Sequence, residues 1–136
     1  MHSLENFNRI GAGKLPGHLG ILITQADKSE VRAQLAIHEA LMAPNGFLHA
    51  GTIVTLADTC AGYGCIMNLP AGANGFTTIE LKSNHMATAL QGTLLCSAKP
   101  AHLGRTTHVW DATVTELDAG KVLALFRCTQ LILYAK

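Results

Sequence analysis

Two residues of this chain have the type and the setting that chemistry needs. The first is Asp58, the single Asp, Glu, Lys or Arg side chain between Glu39 and Glu80. Around it, His49-Ala-Gly-Thr-Ile-Val-Thr-Leu-Ala-Asp58-Thr-Cys-Ala-Gly-Tyr-Gly-Cys65 is apolar almost all the way round a helix. A carboxylate withdrawn from water there is costly unless specific partners compensate. Either donors hold Asp58, or its strain is used. The second is His49, at the mouth of the same helix. A helix start offers free backbone N–H groups and a positive dipole end, which suits an anion or a developing oxyanion. Asp58 lies roughly 13 Å down the axis from that start, at 1.5 Å per residue. One carboxylate does not easily reach the oxyanion site of its own helix; a two-fold dimer would bring Asp58 of one subunit to the helix start of the other. Against this stand plainer readings. A lone histidine at a loop–helix junction is more often a cap or packing residue. A lone buried aspartate is more often hydrogen-bonded structure than a catalyst.

The elements that must position these two residues follow from the periodicity. A short N-terminal helix is expected over 2–12, with Phe7 and Ile10 as its apolar contacts, ended by Gly11, Gly13, Pro16 and Gly17. His18 to Ala26 reads as a strand. Glu30 to His38 alternates, with Val31, Ala33, Leu35 and Ile37 on one face, and closes a hairpin with it. Pro44-Asn45-Gly46 marks a loop. The helix is expected from about Ala50 to Met67, with Ile53, Leu56, Ala57, Cys60, Ala61 and Gly64 at three- and four-residue spacing. Leu69 to Gly75 breaks it. Four strands are then expected. The first puts Thr77, Ile79, Leu81, Ser83 and His85 on one face and Thr78, Glu80, Lys82 and Asn84 on the other. The others run over Gly92–Ala98, Thr106–Leu117 and Lys121–Tyr134, with Lys99 to Arg105 as a turn-like link. The third carries Trp110, Ala112 and Val114 on one face. Two strands, one long apolar helix and four strands make an α+β architecture, a sheet curled round the helix.

Composition narrows the function classes. A length of 136 residues suits one compact domain spanning 1–136. The formal net charge of +1, with scattered basic residues, argues against a nucleic-acid protein. No apolar run approaches the roughly 20 residues of a transmembrane helix, and the N-terminus does not read as a secretory signal, so no membrane partner and a cytoplasmic location are expected. Charged residues are only 14% of the chain, which suggests surface hidden in an oligomer. The four cysteines form no C-x-x-C pair and lie in apolar segments; free, buried thiols are expected. The seven histidines show no H-x-x-x-H spacing, so no metal is expected. No G-x-S-x-G elbow is present. Gly62-Tyr-Gly64 sits inside the helix and follows no strand, unlike a phosphate loop.

Pro44-Asn-Gly-Phe-Leu-His-Ala-Gly51 followed by Leu56-Ala-Asp58 resembles the signature of hotdog-fold thioesterases of the phenylacetic-acid-degradation (PaaI) type. Thr78 to His85, and Lys99 through Trp110, are similar to the following blocks of that family. The likeness spans roughly residues 40–134. It implies a hotdog fold, a homodimer with a continuous sheet, often a homotetramer, and hydrolysis of acyl-CoA thioesters at the dimer interface. Asp58 would be the catalytic carboxylate, as nucleophile or as general base on water. His49 would lie near the thioester, the Ala50 N–H would polarise its carbonyl, and Thr78 would help hold the water. Gly51, His85, Gly104, Arg105 and Thr106 would meet the CoA arm or its phosphates. No cofactor is implied, because coenzyme A is part of the substrate. Two departures stand out: Ala50-Gly51 where the family usually has Gly-Gly, and Ala43 where many relatives carry an amide, with Asn45 as a partial replacement. They leave open a non-catalytic acyl-CoA binding protein on the same fold. A dehydratase or hydratase would use a different His/Asp arrangement.

Overall fold

A computed structural model describes residues 3–136. The chain forms α1 (Leu4–Gly11), α2 (Leu15–Leu19), β1 (Leu22–Ala26), β2 (Val31–Ala36), a 3-10 turn (Glu39–Leu41), α3 (Ala50–Met67), β3 (Ala73–His85), β4 (Thr93–Leu103), β5 (Thr107–Glu116) and β6 (Val122–Tyr134). The strands make one antiparallel sheet in the order β1-β2-β4-β5-β6-β3, which packs on α3.

The helix α3 has the expected bounds. Its β-branched residues are indifferent helix formers, so packing rather than propensity holds it. Ile53, Leu56, Ala57, Cys60, Ala61, Gly64 and Cys65 are all buried. The sheet meets them with alternate residues: Val31, Ala33 and Leu35 of β2; Leu94, Cys96 and Ala98 of β4; Trp110, Ala112 and Val114 of β5; Ala124, Phe126, Cys128 and Ile132 of β6. Small residues on α3 let the sheet approach. A Cβ on Gly64 would stand 2.3 Å from the Trp110 ring, and one on Gly62 would stand 2.9 Å from Phe76. At the far end Asn68 donates to the carbonyls of Gly64 and Lys28, fastening the helix to the β1–β2 turn. All four cysteines are free and buried, as expected.

Several boundaries differ from the sequence reading. The expected first helix begins at residue 2, outside the described residues; within them it starts at Leu4, with Ser3 accepting from the Asn6 N–H. Phe7 is buried and stacks on Tyr63 at 4.5 Å, but Ile10 is 40% exposed and is not a core contact. Pro16 and Gly17 do not end helical structure. They lie in α2, where Pro in the first turn costs no hydrogen bond. His18 and Leu19 therefore belong to α2, and β1 begins only at Leu22. The segment read as a link over Lys99–Arg105 is strand as far as Leu103, because a bulge between Pro100 and His102 accommodates the proline.

The two sheet edges are treated differently. Asn8 of α1 exchanges two hydrogen bonds with the Ile23 backbone (2.8 and 3.0 Å), so α1 covers the β1 edge. The other edge is β3, with Ile79 56% and Leu81 41% exposed. A long bare edge is a template for pairing with another chain.

The Gly64–Trp110 contact yields a stability prediction. Gly→Ala in a helix gains about 1 kcal/mol of propensity, while overpacking a filled core costs about 1–3 kcal/mol or more. The ring lies too close to yield by a few tenths of an ångström, so the steric term wins. Gly64→Ala should lower the urea midpoint of unfolding; a midpoint equal to or above that of the parent would show that Trp110 has room to move.

Candidate active site

The sheet and α3 bring Asp58 to Thr78. The Thr78 hydroxyl donates to the Asp58 Oδ1 at 3.2 Å. Strict alternation along β3 would have kept Thr78 on the face of Glu80 and Lys82. Instead the register shifts between Thr78 and Glu80, so that Thr78 opposes Gln130 while Glu80 opposes Thr129. A bulge of this kind places one extra residue in the strand and re-aims its side chains. Phe76 and Thr78 therefore share the helix-facing side with Leu81, Ser83 and His85. The expected grouping of Thr78 with Glu80, Lys82 and Asn84 is corrected by that one residue.

Asp58 is half-buried. Burial is the larger influence and pushes its carboxyl pKa above the ordinary value, while the Thr78 hydroxyl pulls it partly back. Among the described residues no cation pairs with it. A carboxylate of raised basicity, held by one hydroxyl, is suited to taking a proton from water.

The helix start has its own local construction. His49 is the N-cap, and its Nδ1 accepts the Gly51 N–H at 2.8 Å. Gly51 makes this possible, because a Cβ there would stand 2.9 Å from the same nitrogen. The ring thus carries its proton on Nε2, with His49 exposed. Thr52 N–H donates to the His49 carbonyl. The Ala50 N–H has no such partner among the described residues and belongs to the first turn, where helix donors are unsatisfied. The capping role of His49 and the free donor at Ala50 coexist. Asn45 spends its side-chain oxygen on the Phe47 N–H at 3.2 Å, a turn contact.

The remaining expected residues are dispersed within one chain. His85 lies at the end of β3 opposite Ala124, on the side of the helix start. Gly104, Arg105 and Thr106 form the β4–β5 turn at the other end, where the Ile132 N–H donates to the Thr106 carbonyl and the Tyr134 hydroxyl to that of Arg105. Seven residue steps along β6 separate the two ends, from Ala124 to Leu131, or about 23 Å of strand. One chain therefore assembles Asp58 with Thr78, but not with His49 and Ala50, and not His85 with Arg105. A cavity of about 380 Å³ lined by Lys82, Asn84, Asp111 and Arg127 opens on the outer face of the sheet, away from Asp58.

Residues 45–123 match the model of the thioesterase superfamily. The chain belongs to that superfamily. A 1,4-dihydroxy-2-naphthoyl-CoA hydrolase of Listeria monocytogenes is 32% identical over 82% of this chain and 89% of its own length. An Escherichia coli hydrolase of the same description is 29% identical over 96% of this chain and 95% of its own. Among solved structures, a mutant thioesterase of Pseudomonas aeruginosa superposes with a TM-score of 0.90 at 28% identity, covering 96% and 94% of the two chains. The hotdog fold expected from the sequence is thereby established, and with it an enzyme of the thioester-hydrolysing class.

Sequence reasoning passed over two polar residues beside the site, Gln130 and His108, which are 0% and 1% exposed. Their signal was present. Gln130 falls at the period-two positions of Phe126, Cys128 and Ile132, and His108 two before Trp110: polar residues in core phase.

Burial of Asp58 generates a prediction whose sign is fixed by linkage. Its folded pKa lies above the unfolded value near 3.9. Below the unfolded value both states hold the proton and the residue costs nothing. As pH rises through the folded pKa, the cost of a buried charge appears in the native state. Asp58→Asn keeps the shape and an oxygen for Thr78. It should therefore be at least as stable as the parent at pH 7.5, with that advantage vanishing toward pH 3. Urea midpoints at the two pH values decide; a variant clearly less stable at pH 7.5 would contradict the sign.

Proposed function

We propose that the chain is an acyl-CoA thioesterase whose site is completed by two subunits. The observation that carries the reading is the pairing of a free Ala50 N–H at the start of α3 with a basic, hydroxyl-held Asp58 about 13 Å along the same axis. The two groups have the chemistry of one acyl-transfer site, and they are too far apart to serve one site in one chain.

The open β3 edge supports a way to join them. Two β3 strands paired antiparallel about a two-fold axis extend the sheet and cover Ile79 and Leu81. Thr78 lies near the midpoint of β3, close to such an axis. The Ala73 end of one strand, beside Arg105, meets the His85 end of the other. In this dimer Asp58 and Thr78 of one subunit face the helix start of its partner, and Arg105 approaches His85 of the partner subunit. The residues that one chain disperses are thus gathered across the interface. Gly104, Arg105, Thr106 and His85 then offer donors and positive charge to the phosphates of coenzyme A.

In the reaction, the thioester carbonyl accepts the Ala50 N–H. Asp58 of the partner subunit takes a proton from a water oriented by Thr78. The resulting hydroxide adds to the carbonyl carbon, the carbon–sulfur bond breaks, and coenzyme A leaves as thiolate to be protonated. Direct attack by Asp58 would instead give a mixed anhydride that water opens. Raised basicity serves Asp58 in either role; the Thr78 hydroxyl beside it, able to hold a water, favours the water route. His49 orients Gly51 and presents its Nε2–H beside the carbonyl.

Thiol release over a panel of aryl, short-chain and medium-chain acyl-CoAs tests the activity. Asp58→Asn should lower kcat by about 10²–10⁴-fold; full turnover of a good substrate in that variant would sink the assignment. Tight binding of every ester without thiol release by the parent would favour a binding protein instead. The two-subunit site has a separate test. Ala50→Pro removes the N–H yet fits the first helical position, and His49 already has φ −65 and ψ 131, the conformation that a following proline requires. Each single variant should be inactive. Mixed and allowed to exchange, they should recover about a quarter of parental activity, because half the dimers are mixed and each holds one intact site. No recovery in verified mixed dimers would place both groups in one chain.

A further inference from the structure

We propose that Gln130 and His108 are positioning residues that act on Asp58 through Thr78, as a buried polar row across β5, β6 and β3 behind the carboxylate. The inference rests on the proposed role of Asp58 and extends it to two residues that no part of the mechanism has used.

The row is set by register. His108 opposes Gln130 between β5 and β6, and Gln130 opposes Thr78 between β6 and β3. Directly opposite side chains on one face have Cβ atoms about 4.5–5.5 Å apart. All three face α3, and Thr78 already donates to Asp58. Gln130 and His108 are almost wholly buried, and among the described residues their four side-chain polar atoms make no hydrogen bond of ordinary geometry, although the Gly104 backbone lies near the His108 ring. Unpaired buried polar groups are costly. Neighbouring helix-facing positions on β6 hold Phe126, Cys128 and Ile132, so an apolar residue at 130 would pack without that cost. Polar side chains at both positions, in line with the one hydroxyl that touches Asp58, point to a shared task.

The donor count gives the row a direction. Thr78 has one hydroxyl hydrogen, and it is committed to Asp58. What Thr78 can take from Gln130 is therefore an N–H, from the amide nitrogen. The amide oxygen of Gln130 is then left for the His108 ring, which stands opposite it in register. Burial, and after it nearby His102, push the pKa of that ring below its ordinary value, while the Gly104 backbone pulls it partly back. Donation from Gln130, directly or through one water, polarises the Thr78 hydroxyl toward the carboxylate, because successive hydrogen bonds strengthen one another. The row thereby helps Asp58 to remain ionised where burial opposes it.

Few other groups compete for that influence. On β6 the Cys128 thiol nearest Asp58 is pushed up to about 12 by burial and stays neutral. On α3 the Cys65 thiol is likewise raised to about 12, and the Tyr63 hydroxyl is raised by burial. On β4, Cys96 pairs with Cys60 of α3, whose thiol is also raised. On β3 only Thr78 meets Asp58, while Glu80 and Lys82 lie on the outer face with the Asp111–Arg127 ion pair.

Gln130→Met is the decisive variant, because it keeps the volume, removes the polar atoms and should fold. The Asp58 carboxyl is titrated directly by carbon-13 NMR, and the acid limb of kcat/KM is followed in parallel. Gln130→Met should raise the Asp58 midpoint and the acid limb by about one pH unit, with KM little changed. His108→Leu should shift both in the same direction by less. In a Thr78→Val background Gln130→Met should add nothing, and Thr78→Ser should restore its effect. An unmoved midpoint in both Gln130→Met and His108→Leu would overturn the proposal, as would an equal shift with and without the Thr78 hydroxyl. Because the NMR midpoint needs no turnover, a parent protein without thiol release would refute the thioesterase reading while leaving this test intact.

Discussion

The structure turns on how one carboxylate is tolerated inside an apolar helix–sheet interface. Asp58 belongs to a helix that buries most of its circumference, and the single side chain seen to hold it is Thr78. Burial alone would drive the group toward its neutral form. A hydroxyl in the right place moderates that drive without a counter-charge, and leaves the carboxylate more basic than one in water. Had a lysine or arginine stood there, the pKa would fall and the group would be a weaker base. The absence of any cation partner among the described residues is thus part of what makes Asp58 suited to its proposed task.

The same interface explains the composition of α3. A helix flanked by a curled sheet needs small residues where strands cross it. Gly62 and Gly64 admit Phe76 and Trp110 at distances that no Cβ would permit. Gly51 serves a different end, letting the His49 ring fold back to cap its N–H. Three glycines in one helix would normally weaken it. Here each is matched to a large side chain lying over it, so packing offsets what propensity loses.

Much of this was legible in the chain. The bounds of α3, the number of strands and their succession along the chain, and the buried thiols follow from period and composition, because each depends on many residues agreeing. The likeness to the hotdog thioesterases lies in Pro44–Gly51 and Leu56–Asp58 taken together with the blocks at Thr78–His85 and Lys99–Trp110, and the family match bears it out. What sequence could not give was phase. Nothing in Thr77-Thr78-Ile79-Glu80 marks a bulge, since the alternation on either side is equally regular. Pro100 marks a link after Ala98 by its type, but a second bulge absorbs it into the strand. Pro16 and Gly17 look like breakers, though a first-turn proline is harmless. Gln130 and His108 were readable in principle as polar residues in core phase, but only to a reader who carried the alternation through them rather than stopping at the apolar neighbours.

The bulge in β3 has a consequence for how this chain can change over time. Side chains in a strand are sorted by parity, so Thr78 and Leu81, three residues apart, share a face only because one extra residue stands between them. Ile79, exposed and without a partner position on β6, is that residue. Substituting it leaves the count intact. Removing it would set Thr78 and Leu81 two apart, opposite Gln130 and Cys128 as before, so the strand could run straight with Phe76, Thr78, Leu81, Ser83 and His85 still on one side. At this position, then, the chain can change in spelling and lose a letter, whereas one residue lost or gained elsewhere between Phe76 and His85 has no such slack to take it up.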